Sequence, residues 1–199
     1  MTAVRVKELS APRIDRGEIL RYMGCRGGDD EIEALIDRSL SLCSDKLTYR
    51  VCYREYDIQR GDGYIDLGFA VTRSRDLAKA LDGCHGIVLF AATVGLELDR
   101  LIYKYSRTQT SVALCLQAIG AERIEALCND FCAFLGERGL STRPRFSAGY
   151  GDLPLSLQRD IFACLECPRH IGLTLNDSLL MSPTKSVTAI VGIEKNENT

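Results

Sequence analysis

The run Gly86-Ile-Val-Leu-Phe-Ala-Ala-Thr-Val94 carries no charge and no alternation between apolar and polar residues. A stretch of this kind, rich in β-branched side chains and too short to span a bilayer, reads as the central strand of a sheet covered on both faces. The rest of the chain supplies cover. Ile14, Ile19, Leu20 and Met23 recur near helical spacing over 13–24, and Arg26-Gly27-Gly28 breaks that helix. Asp29 offers an N-cap to a second helix carrying Ile32, Leu35, Ile36, Leu40 and Cys43. A long helix over roughly 109–139 turns Val112, Leu116, Ile119, Leu127, Phe131 and Leu135 inward, with Gly120 as a possible bend.

Extended segments are predicted at 47–58 and 64–71, with Arg60-Gly61-Asp62-Gly63 as the turn of an antiparallel hairpin between them. Tyr49, Val51 and Tyr53 alternate with Arg50, Cys52 and Arg54, as in a half-buried strand. Ser74–Leu81 forms a short helix stopped by Gly83, and Gly95 opens a further helix. A helix near 155–166, a turn at His170-Ile171-Gly172, and strands near 173–181 and 186–193 complete the chain. The expected class is α+β: a single domain with a mixed or antiparallel sheet flanked by helices. Within residues 1–199, 1–45 form an N-terminal helical segment, 46–193 the α+β core and 194–199 a polar tail.

With 199 residues, 46% of them hydrophobic, the chain can bury a sizeable core. A net charge of −2 without a Lys/Arg run gives no electrostatic case for nucleic acid. No segment is apolar for long enough to cross a membrane, and the N-terminus lacks a signal-peptide core. Of the nine cysteines, Cys115, Cys128 and Cys132 fall on an apolar helical stripe, which is how reduced, buried cysteine is used. A cytoplasmic protein is the expectation. Cys164-Leu-Glu-Cys167 could be half a zinc site or a redox pair, yet no second Cys/His pair accompanies it and it closes a helix rather than opening one. His85 and His170 are isolated in the sequence.

The stretch Arg143-Pro-Arg-Phe-Ser-Ala-Gly-Tyr-Gly-Asp152 is a linker between helices. It combines guanidinium groups, a phenol, a hydroxyl and glycines. Arg145 and Tyr150 can grip a zwitterionic, flat-ringed ligand, and Gly149 permits close approach of backbone to it. A structural turn, with arginine on carbonyls and tyrosine at the core edge, is the other reading.

The tail Arg169-His-Ile-Gly-Leu-Thr-Leu-Asn-Asp-Ser-Leu-Leu-Met-Ser-Pro183, with Ser186-Val187-Thr188 after it, resembles the C-terminal activation domain of cobalamin-dependent methionine synthase. That domain carries a His-Ile-Gly, a later Met-x-Pro and then Ser-Val-Ser. Its ligand loop has an Arg-Pro-x-Pro-Gly-Tyr pattern, which Arg145, Gly149 and Tyr150 match. Phe90–Asp99 looks like the family's strand-to-helix turn, and Ile14-Asp15 is similar to an Ile-Asp at its ligand site. The likeness is discontinuous, colinear and spans most of the chain. Phe146 and Ala148 replace the loop's prolines, Gly151-Asp152 follows the tyrosine, and Val191 and Gly192 stand where the well-known domain has aromatics.

This resemblance implies a free-standing activation protein that binds S-adenosylmethionine and docks onto the cobalamin-bearing modules of a methionine synthase, with a flavodoxin or ferredoxin as reductant. Cobalamin would be carried by the partner, and the chain would supply neither a catalytic His or Cys nor a metal. The implied ligand residues are Asp15 for the ammonium and Arg145 for the carboxylate. Ser147, Ala148 and Gly149 would contact the adenosine part, Tyr150 the region of the sulfonium, and Ser186 and Thr188 the opposite wall. Asp15 is equally suited to capping the short helix. Two other readings stand beside this one: a binding or assembly module for a corrinoid protein that has lost S-adenosylmethionine, and a thiol or metal protein working through Cys164 and Cys167.

Overall fold

The computed structural model describes residues 3–194. A short, charge-rich strand, β1 (Arg5–Glu8), precedes two helices, α1 (Arg16–Met23) and α2 (Asp30–Cys43). Both helices start where a side chain satisfies free amides. Asp15 accepts from Glu18 N at 3.1 Å and Asp29 from Ile32 N at 2.9 Å. The N-terminal segment is therefore not wholly helical, because β1 joins the main sheet.

The expected hairpin of 47–58 with 64–71 is replaced by a different pairing. β2 (Arg50–Asp57) lies between β1 and the long strand β6 (Cys84–Thr93), in register from Arg50 opposite Thr93 to Asp57 opposite Gly86. The Arg60–Gly63 turn closes only a minor hairpin of β3 (Gln59–Gly61) and β4 (Tyr64–Asp66), to which β5 (Val71–Thr72) adds. The physical reason is burial. Val51 and Tyr53 enter one core and Cys52 the other, so β2 needs an apolar partner of its own length, which the 84–93 run provides and the short 64–66 strand does not.

Past β5 come α3 (Arg75–Ala80), β6, α4 (Glu97–Ser106) and α5 (Thr110–Glu137). A 3₁₀ turn, Leu155–Leu157, leads into α6 (Gln158–Leu165), then α7 (Cys167–Ile171), the two-stranded β7 (Thr174–Leu175) and β8 (Met181–Ser182), and β9 (Ser186–Glu194). The predicted turn at His170–Gly172 is the end of α7, closed by Gly172 at φ 68°. Glu194 ends β9, and the remainder of the predicted polar tail lies outside the described residues.

The main sheet, ordered β1-β2-β6-β9, is antiparallel throughout. Val88, Phe90 and Ala92 of β6 face α1, α2, α4 and α5, whereas Ile87, Leu89 and Ala91 face α3, α6 and α7. The apolar run is thus the central layer of an α/β/α sandwich. All six predicted inward residues of α5 are buried. Gly120 serves close packing rather than a bend: a Cβ there would lie 2.6 Å from Leu98 and 2.8 Å from Lys185.

After α5 the chain returns along the outer edge of β9. Arg143 N donates to Gly192 O at 2.9 Å, Phe146 N to Ile190 O at 2.9 Å, and Ile190 N to Phe146 O at 2.8 Å. This irregular fifth strand covers the sheet edge and fixes where the following loop emerges.

Phe131 is the largest apolar link between α5 and the sheet, with ring centroids 5.2 Å from Tyr53 and 4.9 Å from Phe90. Phe131→Ala should lower unfolding stability by ~3–5 kcal/mol through transfer and cavity terms. A urea titration will show this as a lower midpoint with an unchanged slope.

Candidate functional site

The site begins with two charges in the middle of an apolar helix. Glu122 and Arg123 of α5 retain side-chain exposures of only 3% and 2%. Arg123 Nε and Nη2 donate to the Glu122 carboxylate, while Nη1 donates to Pro12 O at 2.6 Å and Nη2 to Arg13 O at 2.8 Å. Glu122 Oε1 also accepts from Asp15 N at 3.0 Å. This network staples residues 12–15 to α5 and fixes Asp15 at the start of α1. The buried phenol of Tyr49 adjoins Arg123, and burial pushes its pKa up.

Arg145 meets the same helix from the other side. Its Nη2 donates to Glu125 Oε2 and to Asn129 Oδ1, both at 3.0 Å. Glu122, Glu125 and Asn129 are spaced for one face of a helix. Together with Asp15 they line a cleft of ≈ 410 Å³. The structure therefore brings Asp15 and Arg145, distant in sequence, to one face of α5. Arg145 Nη1 is out of contact with solvent and has no hydrogen-bond partner among the described residues. A buried, unpaired donor costs roughly 1–3 kcal/mol, so this nitrogen is one acceptor short.

Arg145 itself lines a separate cleft of ≈ 470 Å³, with Phe146, Tyr150 and Gly151 on one side and Asp76 and Lys79 of α3 on the other. Here the loop is tightly built. Ser147 Oγ donates to Thr188 O at 2.8 Å, Ala148 is buried in the second core, and Gly149 N donates to Leu153 O at 2.9 Å. Gly149 has φ 88°, and Gly151 (φ 54°) leaves no space for a Cβ, which would lie 2.2 Å from Asp76 Oδ2. Both positions require glycine. Tyr150 projects outward, 72% exposed, with its ring edge-on to Phe146 at 5.9 Å.

Asp152 is the anchor that the sequence motif leaves unexplained. Its carboxylate accepts from Ser74 Oγ, from Arg75 N at 2.8 Å and from Asp76 N at 3.2 Å. The Ser74 hydroxyl followed by the Arg75 amide holds its pKa below the usual carboxylate value. The carboxylate thereby fastens the loop to the start of α3.

Ser186 and Thr188 do not line an open wall. Both are buried; Ser186 Oγ lies 2.8 Å from Pro183 O and 2.9 Å from Thr93 Oγ1, and Thr188 offers its carbonyl to Ser147. They hold the loop and the 183–185 segment in place. Val191 is buried in the core beneath α5, and a Cβ at Gly192 would lie 2.6 Å from Cys84 Sγ.

Cys167 packs against Cys52 of β2, Sγ to Sγ 4.0 Å, while Cys164 donates to Ile161 O. Both thiols of the Cys164–Cys167 pair have raised pKa values: Cys167 through its hydrogen bond with Cys52 and burial, Cys164 through burial. That is the reverse of a reactive thiolate. No cluster of three or more His, Cys, Asp or Glu side chains placed to hold a metal occurs among the described residues. His85 is exposed, and the backbone carbonyl of His170 accepts from Arg50 Nη2 at 3.0 Å. No helix among the described residues is long and apolar enough to cross a membrane.

Among solved structures, the crystal structure of the MetH reactivation domain bound to AdoHcy superposes with a TM-score of 0.71. The match covers 99% of this chain and 80% of that one, at 17% sequence identity. The fold is that of a methionine synthase reactivation domain. No protein-family profile matches the sequence, and no curated protein is significantly similar to it. The expected α+β class and the resemblance carried by the tail and the Gly-Tyr loop thus agree with the fold. Glu122, Arg123, Glu125 and Asn129 went unread in the sequence. The one visible signal was a Glu-Arg pair inside the apolar span of α5.

Within the reactivation-domain fold, the Asp152 anchor gives the loop a defined pH response. The depressed folded-state pKa means that its fastening is complete above the ordinary carboxylate value of 3.8 and is lost as pH falls through the lower folded value. Amide resonances of Arg75 and Asp76 should stay constant from neutral pH down to that range and move together below it. Asp152→Asn should already display at neutral pH the acid-state shifts and a more mobile Tyr150.

Proposed function

We propose that this chain is an S-adenosylmethionine-binding activation module serving a cobalamin-dependent methionine synthase. The observation that carries the reading is the placement of Asp15 and Arg145 against one face of α5, with Arg145 Nη1 lacking an acceptor. Arg145 is already paired with Glu125 through Nη2, so a ligand carboxylate would add to that pair, and a ligand ammonium would give Asp15 an opposite charge. The cleft beside Asp15, ≈ 410 Å³, and the cleft beside Arg145, ≈ 470 Å³, are each of small-ligand size.

S-Adenosylmethionine, when bound, supplies a sulfonium methyl group for a reduced corrinoid carried by the partner. The residues of this chain orient the ligand. Arg145 takes its carboxylate, Asp15 its ammonium, and the backbone of Ser147, Ala148 and Gly149 lies beside the adenosine part. Tyr150 offers a ring face to the cationic centre. Positioning is the whole of this contribution, since a strong nucleophile needs no general base from the protein. The partner would be a cobalamin-bearing module that docks transiently over the Tyr150 side, in the cytoplasm, with a flavodoxin- or ferredoxin-type reductant. A second reading, a corrinoid-binding or assembly module without S-adenosylmethionine, is favoured by Val191 and Gly192, which place no aromatic ring beside the site.

Calorimetric titration with S-adenosylmethionine and S-adenosylhomocysteine separates the two readings. Binding of either ligand that weakens by at least about tenfold in Arg145→Ala is expected, from ~1.5–3 kcal/mol for a charge-assisted hydrogen bond. Asp15→Asn keeps a capping side chain while deleting the charge. It should weaken binding at unchanged thermal stability. Absence of binding at millimolar ligand, with and without the cobalamin module, would overturn the first reading and favour the second.

A further inference from the structure

On the far side of α3 a smaller cleft, ≈ 250 Å³, opens between the β3–β4 hairpin and the start of that helix. Arg60, Arg73 and Arg75 line it together with Tyr64 and Thr72, and no carboxylate does. Among the described residues none of the three arginines is ion-paired. Arg60 is held in place: Nη1 donates to Cys84 O at 2.9 Å and Nη2 to Leu81 O. Carbonyl acceptors satisfy those N–H groups without cancelling the charge, so a fixed cation remains at the cleft wall.

Arg73 and Arg75 flank Ser74, the N-cap of α3. Cations at a helix start oppose its dipole, so their position does not serve the helix. Nor are the first amides of α3 available to a ligand. Asp152 accepts from Arg75 N and Asp76 N, and Ser74 Oγ from Leu77 N. The charged groups of the lining are therefore the three arginine side chains and not helix amides. Tyr64 closes one wall; its ring lies over Gly61, where a Cβ would come within 2.1 Å of it. The volume falls below the ~300–1,000 Å³ of a whole small-molecule site and suits a head group. Planar guanidinium forks match the oxygens of phosphate, whose charge of up to −2 suits a lining with three cations and no carboxylate.

We propose that this cleft is a phosphate-binding site, occupied by inorganic phosphate or by the terminal phosphate of a phosphomonoester. α3 separates it from the Arg145 cleft, which is lined by Asp76, Lys79 and Ala80 of the same helix. The two clefts share no lining residue.

The test is titration of the full chain with inorganic phosphate at constant ionic strength, followed by amide NMR, with chloride as comparator and adenosine monophosphate as the phosphomonoester. Saturable shifts confined to residues 60–78 are expected, together with a loss of affinity of at least about tenfold in Arg73→Gln/Arg75→Gln. Arg26→Gln, a surface arginine elsewhere, should bind like the unaltered chain. Tighter binding of the monophosphate would assign the site to phosphomonoesters, and equal binding to phosphate itself. Shifts that fail to saturate, that chloride reproduces, or that persist in the double variant would overturn the proposal. S-Adenosylmethionine affinity, measured on the same variants, should not change.

Discussion

Because β6 is apolar at successive positions, neither of its faces can meet solvent, and the fold has to supply a layer on each. α1, α2, α4 and α5 cover one face, and α3, α6 and α7 cover the other. β2 and β9 cover its edges, and this arrangement decides where the candidate site lies. Once β9 is paired to β6, its outer edge is the open one, and the chain leaving α5 passes along it from Thr142 to Phe146. The Arg145–Tyr150 loop thus emerges at a place set by strand pairing and not by the loop's own preferences.

The buried Glu122–Arg123 pair performs the corresponding task on the N-terminal side. Removing two charges from water is expensive, and a well-packed apolar pair would commonly be as stable. What an apolar pair cannot do is accept from Asp15 N and donate to the carbonyls of Pro12 and Arg13. The pair fixes a segment that has no regular structure, and so it gives Asp15 a defined position. Arg145 then reads the next turns of the same helix through Glu125 and Asn129. One helix is the common frame for both anchors.

What was legible in the sequence were the features governed by local chemistry. Asp29 and Ser74 cap helices because a short polar side chain reaches amides three residues on, and the period of α5 marks its buried face. Non-local choices were hidden. Nothing in 50–57 alone says that its partner is 86–93 rather than the adjacent segment, and the correct pairing follows only when both cores are counted. The charges of β1 mask a strand that needs just one neighbour. At the site, the identities of Arg145, Gly149 and Tyr150 could be read, but the side chains that hold Arg145 lie on α5, sixteen and twenty residues earlier. The burial of Ser186 and Thr188 could not be read, because alternation along β9 has no polar face: both of its sides are interior.

The same two-sided burial explains the departures near the end of the chain. Val191 faces the core beneath α5, and a larger ring there would overpack it. Gly192 faces Cys84, Leu81 and Arg143 at distances that exclude any side chain. Aromatic surface beside Arg145 has to come from the loop, where Phe146 and Tyr150 meet edge to face. Phe146 is held by its bonds to Ile190, and the loop beyond it is held by Gly149 and Asp152, so Tyr150 is exposed on a backbone fixed on both sides. An exposed ring on a rigid support loses little freedom when something stacks on it. The small residues of β9 and the fastening of the loop to α3 together leave Tyr150 as the exposed ring lining the cleft with Arg145.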